Sequence, residues 1–132
     1  MDIPATFLSV ASAAYPATYQ GQPIAPLQGK SLVPVLDASR SAIRGQSDWL
    51  GWELFGNRAI RQDRWKLLWL CSPFGPGKWQ LYDLTADPGE TKDLSNAQPK
   101  IRDQLLRRWT EYARVNNVIL PSESPLCAKV TE

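Results

Sequence analysis

The sequence contains no histidine, so it lacks the side chain that proteins use most often as a general base near neutral pH and as a metal ligand. This absence excludes any Ser-His-Asp, Cys-His or histidine-metal site made by this chain alone. Cysteine is also scarce. The sequence contains only Cys71 and Cys127, which can form at most one disulfide. Cys71 ends an apolar run, where a buried free thiol is the expected state. Whether the two cysteines pair stays open at this point.

Long apolar runs and an excess of charge are lacking too. No stretch approaches the ~20 apolar residues of a membrane span, and no basic segment precedes the apolar N-terminus as it would in a signal peptide. The chain has 15 Lys+Arg against 13 Asp+Glu, a balance that gives no electrostatic reason to expect nucleic acid or a membrane as partner. Hydrophobic residues make up 43% of the 132 residues, which is enough for a packed core.

Composition divides the chain near Gln46. Residues 1–45 are rich in Ala, Pro and Ser and contain no Trp, whereas all six Trp occur later. We therefore predict a leading segment over 1–45, a domain over 46–120 and a loose tail over 121–132.

The leading segment favours two short helices joined by a loop. Ile3, Phe7 and Val10 fall on one face of a predicted helix of about three turns, and this apolar face needs a larger body to cover it. A loop is expected over residues 15–23. A second short helix is expected over residues 32–36, capped by the preceding serine.

The domain over residues 46–120 is predicted to be α+β: a small four-stranded antiparallel sheet packed against one long C-terminal helix. The helix is expected over residues 99–116, where apolar residues recur at helical spacing. These residues are Ile101, Leu105, Trp109 and Tyr112. The four predicted strands are residues 49–55, 58–61, 65–71 and 79–84.

A phosphate-binding loop is suggested by Gly29-Lys30-Ser31, but the pattern fails. The motif needs a glycine five residues before Gly29, and Ile24 stands there. We interpret this stretch as a turn in which Ser31 caps the second helix.

Tryptophans in the predicted strands have three readings. Trp65, Trp69 and Trp79 fit a core or a sheet–helix interface, and the alternatives are a ligand platform or a contact with a missing partner domain. A ligand platform requires at least two exposed, coplanar rings in a groove.

Charged clusters are expected to be solvated. Arg58, Arg61 and Arg64 fit a solvated edge, with anion binding as the alternative, and strand alternation places Arg58 and Ile60 on one face. The acidic residues 87–93 lack the spacing of a calcium loop and fit a turn.

Four stretches resemble sulfatases of the alkaline-phosphatase-like superfamily, and in particular the C-terminal region of bacterial arylsulfatases. They are residues 1–8 (MDIPATFL), 20–36 (QGQPIAPLQGKSLVPVL), 51–62 (GWELFGNRAIRQ) and 79–90 (WQLYDLTADPGE). The resemblance implies the same four-stranded sheet with one helix for the second part. It also implies that residues 1–45 are the last pieces of the large α/β catalytic domain.

The family reaction implied by this resemblance is hydrolysis of a sulfate ester by a formylglycine, assisted by calcium, Lys and His. The formylglycine comes from a Cys/Ser-x-Pro-x-Arg motif. Cys71-Ser72-Pro73-Phe74-Gly75 comes close, but Gly75 stands where the arginine is needed. We therefore assign no catalytic, cofactor-binding or metal-binding residue to this chain, and expect the parent's calcium and formylglycine to lie upstream.

The sequence thus predicts a non-catalytic C-terminal domain of an arylsulfatase, which covers the catalytic domain upstream and shapes its substrate cleft. The isolated segment is expected to be inactive. Its uncovered apolar side chains in residues 3–36 are expected to re-pack on the small sheet or to drive self-association into a homo-oligomer. The alternative is a freestanding binding module that uses a Trp-rich sheet face for a sugar or an aromatic ligand. The cellular location stays open between bacterial cytoplasm and periplasm.

Overall fold

The computed structural model describes residues 1–121 and Cys127. The chain divides into two compact units, Met1–Gly45 and Gln46–Glu132. Within the described part of the chain, no helix is long and apolar enough to cross a membrane.

The first unit contains two helices, α1 (Asp2–Val10) and α2 (Val33–Leu36). Thr6 connects α1 to the residue before α2. Its buried hydroxyl donates a hydrogen bond to the Asp2 carbonyl (2.8 Å) and accepts one from the Leu32 amide (2.9 Å). Both predicted helices are therefore confirmed, and the second begins one residue later than predicted.

A small hairpin corrects the loop predicted over residues 15–23. Strands β1 (Thr18–Tyr19) and β2 (Gln22–Pro23) pair antiparallel. Gln20 and Gly21 have φ values of 50° and 76°, and positive φ at both central residues is the geometry of a tight hairpin turn. Each of these strands has two residues, which is too short for an alternating strand pattern to be recognised in the sequence.

The apolar face of α1 lies on the surface of the described part of the chain. Ile3, Phe7 and Val10 are 55%, 69% and 71% exposed. The residues that α1 buries are Ala5 and Thr6. The smaller side of the helix is packed because α1 approaches its neighbours closely, and only small side chains fit there.

The second unit is built on a four-stranded antiparallel sheet in the order β3-β4-β5-β6, as predicted. Consecutive strands are neighbours, so the sheet is a meander with tight connections. Its strands are β3 (Trp49–Leu54), β4 (Asn57–Gln62), β5 (Trp65–Trp69) and β6 (Trp79–Asp83).

The centre of the sheet is a row of side chains that face the helix. Ile60 pairs with Gly51 on one side and with Leu67 on the other, and Leu67 pairs with Leu81. Ile60, Leu67 and Leu81 are fully buried. A Cβ atom on Gly51 would lie 2.5 Å from the Tyr112 ring, so the glycine lets the helix approach the edge strand.

Helix α3 (Pro99–Val115) covers this row, which confirms the predicted two-layer α+β unit. Leu105 and Trp109 are buried, and Ile101 and Tyr112 pack beside them. The predicted helical stripe is thus the face that packs on the sheet. Burial of four large side chains contributes on the order of 6–12 kcal/mol before the entropy cost.

A disulfide joins Cys71 to Cys127, which corrects the expectation that Cys71 is a buried free thiol. Cys71 follows β5 and is buried, and its amide donates to the Asn57 side chain (3.0 Å). Of the predicted loose tail, Pro121 and Cys127 are described, and the disulfide ties Cys127 to the segment that follows β5; the other tail residues lie outside the described part of the chain. Sequence reasoning missed the bond because it spans 56 residues and no short-range spacing signals it.

Candidate functional site

The most unusual group of side chains lies in the sheet row Glu53-Arg58-Trp69-Trp79, on the side that faces α3. The guanidinium carbon of Arg58 lies 4.1 Å from the centre of the Trp69 ring and 5.8 Å from that of Trp79. Its Nε donates to the Gly56 carbonyl at 3.0 Å. Partial burial lowers the pKa of Arg58. Because the pKa of an arginine lies far above neutral pH, the side chain remains charged.

This cluster stabilises the sheet. A cation placed against indole rings and held by a backbone carbonyl has its partners within the chain. The solvated-edge interpretation was therefore wrong for Arg58. The expected shared face of Arg58 and Ile60 is confirmed by the strand register.

Arg61 and Arg64 lie elsewhere, so the three arginines do not form one anion site. Arg61 is exposed on the opposite sheet face, with Nε 3.2 Å from the Asp63 carbonyl. Arg64 pairs with Asp83, donating from Nε to Oδ1 at 2.7 Å. This guanidinium holds the pKa of the Asp83 carboxyl below its usual range.

The tryptophans mostly serve the core, as predicted. Trp49, Trp65 and Trp79 pack against the buried cluster, and Trp79 lies 6.0 Å from Trp109 between ring centres. All six tryptophans lie in the described part of the chain.

Trp52 has the most exposed of these rings, at 46%, on the sheet face away from α3. The other five are half-buried or buried. Two exposed, coplanar rings are therefore not formed, and this disfavours a Trp-platform binding module.

The acidic stretch organises a turn. Asp87 accepts hydrogen bonds from the amides of Thr91 and Lys92, both at 2.8 Å, and the bond from Lys92 is the largest cause of its lowered pKa. Asp93 accepts a hydrogen bond from the Leu81 amide at 3.0 Å, so this N–H group of the edge strand β6 has a partner. These carboxylates are engaged by backbone N–H groups.

A calcium site does not fit the residues that the structure describes. Within residues 1–121 and Cys127, no group of three or more Asp, Glu or Cys side chains is placed to hold a metal ion. Calcium requires several converging oxygen ligands.

The stretch around Gly29 is a packed turn. A Cβ atom on Gly29 would lie 2.0 Å from the Met1 carbonyl oxygen, and the Lys30 amide donates to Asp2 Oδ1 at 2.9 Å. Ser31 Oγ accepts a hydrogen bond from the Val33 amide at 3.2 Å, but Leu32 is the N-cap residue of α2 and no side chain caps the helix, so the predicted serine cap was wrong. The backbone that would cradle a phosphate is committed to a carboxylate of the same chain.

The residues that nearly match the formylglycine motif have structural roles in this chain. Cys71 Sγ is bonded to Cys127 Sγ, so it is not a free thiol. Gly75 packs against Leu70, and a Cβ atom there would lie 2.6 Å from the Leu70 Cβ. An arginine at this position would require the turn to move.

Curated proteins similar to this chain include sulfatases. An uncharacterised sulfatase of Schizosaccharomyces pombe is 33% identical over 122 residues, which cover 90% of this chain and 22% of the relative. Arylsulfatase J of mouse is 35% identical over 81 residues, or 61% of this chain and 12% of the relative. The chain thus spans less than a quarter of the length of each relative. No family model matches the chain.

Solved structures share the fold. A protein solved in work on the metabolism of multiple glycosaminoglycans by Bacteroides thetaiotaomicron matches with a TM-score of 0.65 and 18% identity, over 86% of this chain and 24% of its own. A second, solved with its substrate D-glucosamine-2-N,6-O-disulfate, matches with a TM-score of 0.62 and 22% identity, over 92% and 25%. The predicted bacterial origin stays a prediction. These structures show the fold, and the sequence matches to the curated relatives identify the chain as part of a sulfatase, as its resemblance to that family implied.

Proposed function

We propose that this chain is a C-terminal structural part of a sulfatase, which packs against the catalytic domain and helps to shape the substrate cleft. In this account the sulfate ester is hydrolysed by groups outside the chain. The calcium ion and the formylglycine of the complete enzyme would be held there as well. Partial coverage of both curated relatives supports this division of labour.

The observation that carries the proposal is the exposed apolar face of α1. Ile3, Phe7 and Val10 are more than half exposed and lie along one side of a nine-residue helix. Leu36, at the end of α2, is 75% exposed. A soluble protein rarely presents a continuous row of large apolar side chains to water, and such a row indicates an interface.

Ion pairs and hydrogen bonds fix α1 in place. Arg44 donates to both carboxylate oxygens of Asp2, at 2.6 and 2.7 Å, and the Lys30 amide donates to Oδ1. The Arg44 hydrogen bond lowers the pKa of Asp2 to about 2. The helix is thus held rigidly while its apolar face stays available, as an interface element should be.

The test is a segment exchange in the fission-yeast relative. Its matching 122 residues are replaced by this chain, and the yield of soluble monomer and the melting temperature are measured. The proposal predicts a folded chimera. Phe7→Asp should sharply lower its yield or melting temperature, and Ser9→Asp, an equal charge at an exposed position off the apolar face, should change little.

Two results would contradict the proposal. The yeast protein could fold equally well with the segment deleted, in which case the segment is not a structural part. Alternatively, the chimera could tolerate Phe7→Asp as well as Ser9→Asp, in which case α1 does not pack against the rest of the enzyme.

A further inference from the structure

The edge strand β3 has an unusual composition on the outer face of the sheet, the side away from α3. Strand alternation places Leu50, Trp52 and Leu54 on this face, and all three are apolar. Trp52 is 46% exposed and Leu54 is 62% exposed. An antiparallel sheet with one face in water normally carries polar residues at such positions, so β3 does not have the pattern of a solvated strand.

The apolar positions of β3 continue onto the neighbouring strands. Trp52 pairs with Ala59 of β4, and Ala59 pairs with Leu68 of β5. Ala59 is buried and Leu68 is half-buried. We call the surface made by these five side chains the open sheet face: Leu50, Trp52, Leu54, Ala59 and Leu68. An exposed apolar surface of this kind indicates a contact with another body of protein.

The opposite side of the outer face is covered by the chain itself. Tyr82 of β6 lies in the same outer row as Lys66 of β5, and it is only 6% exposed. Lys66 Nζ donates to Glu90 Oε1 at 2.6 Å, which holds the turn after β6 near this row. The fold therefore shields the β5–β6 side of the outer face and leaves Trp52 and Leu54 in contact with solvent.

A cation borders the open sheet face. Arg61 pairs with Leu50, and its side chain is exposed. Its Nε donates to the Asp63 carbonyl at 3.2 Å, and within residues 1–121 and Cys127 it forms no ion pair with a carboxylate. Arginine is enriched at protein interfaces and is well suited to pair there with a carboxylate of the partner. A partner that fits this face is therefore apolar, with an acidic group at its border.

The sulfatase outside this chain is the occupant that these features favour. The matching residues make up 22% of the fission-yeast relative, so most of that enzyme is available as a partner within one polypeptide. A second copy of this chain fits less well. The charged side chains in the outer rows of its strands, Arg61 and Lys66, are both cations and supply no carboxylate.

We propose that the open sheet face packs against the part of the sulfatase outside this chain, and that a carboxylate of that part pairs with Arg61. This inference rests on the function proposed above. It adds a second contact surface to the apolar face of α1 and places it in the other unit, so the two surfaces can be tested separately.

The first measurement is the accessibility of Trp52 in the chimera with the fission-yeast sulfatase. Oxidation of Trp52 by hydroxyl radicals is followed by mass spectrometry in the isolated 132-residue chain and in the chimera. A reference peptide added to both samples matches the radical dose. We expect oxidation of Trp52 to be several-fold slower in the chimera, because the ring is covered there.

Lysine substitutions test whether this contact stabilises the enzyme. Leu54→Lys should lower the melting temperature of the chimera by several degrees, because the contact buries the new charge. It should change that of the isolated chain little, since Leu54 is mostly exposed there. Val115→Lys is the matched control, because it adds the same charge at an apolar side chain that is 57% exposed, at the end of α3. It should change neither melting temperature.

Charge reversal tests the proposed ion pair. Arg61→Glu should lower the melting temperature of the chimera, and Arg61→Lys, which keeps the charge, should retain most of the stability. Arg107→Glu is the control, since it reverses the charge of an exposed arginine on α3. Equal effects of Arg61→Glu and Arg107→Glu would show that no carboxylate faces Arg61.

The proposal is overturned if Trp52 is oxidised at the same rate in both samples, or if Leu54→Lys affects the chimera no more than Val115→Lys. Loss of self-association of the isolated chain on Leu54→Lys would assign the face to a second copy and would also contradict it. A chimera that depends on Phe7 and not on Leu54 would refute this inference alone. A chimera that does not fold would remove both proposals.

Discussion

The guanidinium carbon of Arg58 lies 4.1 Å from the centre of the Trp69 ring, on the neighbouring strand and beneath α3. This places a cation against the aromatic side chains of strands β5 and β6. Because the pair is half-buried, its attraction is weakened less by solvent than that of a surface pair.

We predict that Arg58 and Trp69 are energetically coupled. A double-mutant cycle with Arg58→Met and Trp69→Leu should give a coupling of about 1 kcal/mol in the free energy of unfolding, measured by urea denaturation. The control cycle uses Arg64 and Trp65, whose guanidinium-to-ring distance is 5.6 Å. A coupling at Arg58 no larger than that at Arg64 would show that the contact is incidental.

The Cys71–Cys127 disulfide should stabilise the second unit. Closing a loop of this length restricts the unfolded chain, and the loop-entropy estimate is about 4 kcal/mol for a separation of 56 residues. Urea unfolding with and without dithiothreitol measures the effect. Cys71→Ser should resemble the reduced protein and show no response to the reductant, and equal stability of all forms would refute the prediction.

Asp2 should titrate well below an ordinary carboxyl, with its pKa lowered from 3.8 to about 2 by the Arg44 hydrogen bond. A depressed pKa in the folded state stabilises the fold above the unfolded value, and this contribution is lost as the pH falls from about 4 to about 2. The amide of Lys30, bonded to Asp2, reports the titration by NMR.

Arg44→Gln is the matched variant for this titration. It should move the midpoint of the Lys30 amide shift back toward 3.8, because the bidentate guanidinium is gone. A midpoint near 3.8 already in the wild type would mean that the ion pair does not form in solution.

The isolated chain should self-associate through the apolar face of α1. Light scattering after size-exclusion chromatography is predicted to give a molecular mass that rises with concentration. Phe7→Asp should return the chain to a monomer, and Ser9→Asp should not. If the wild-type chain is a monomer at all concentrations, the prediction that this face drives self-association is wrong.

Local patterns were sufficient to predict the second unit. Helical spacing from Ile101 to Tyr112 and tight connections between aromatic strands specify α3 and the meander, because each element buries one face against the other. The fit of Gly51 beneath the Tyr112 ring could not be foreseen, since it depends on how closely the helix approaches an edge strand.

Long-range effects explain what the sequence did not reveal. The Phe7 stripe has the spacing of a buried face, and only the structure shows that Ala5 and Thr6 pack instead. Pairing of Cys71 requires a partner 56 residues away. A cavity lined by Gln46, Gln62 and Leu105 combines residues from three separate stretches of chain, so no sequence motif predicts it.

The central claim is that the chemistry of the sulfatase lies outside this chain, and hydrolysis of 4-nitrophenyl sulfate tests it most directly. The purified 132-residue chain and its Cys71→Ser variant are assayed with and without calcium. The account predicts the rate of the buffer blank in all four samples. Saturable hydrolysis by the wild-type chain that Cys71→Ser abolishes would contradict it.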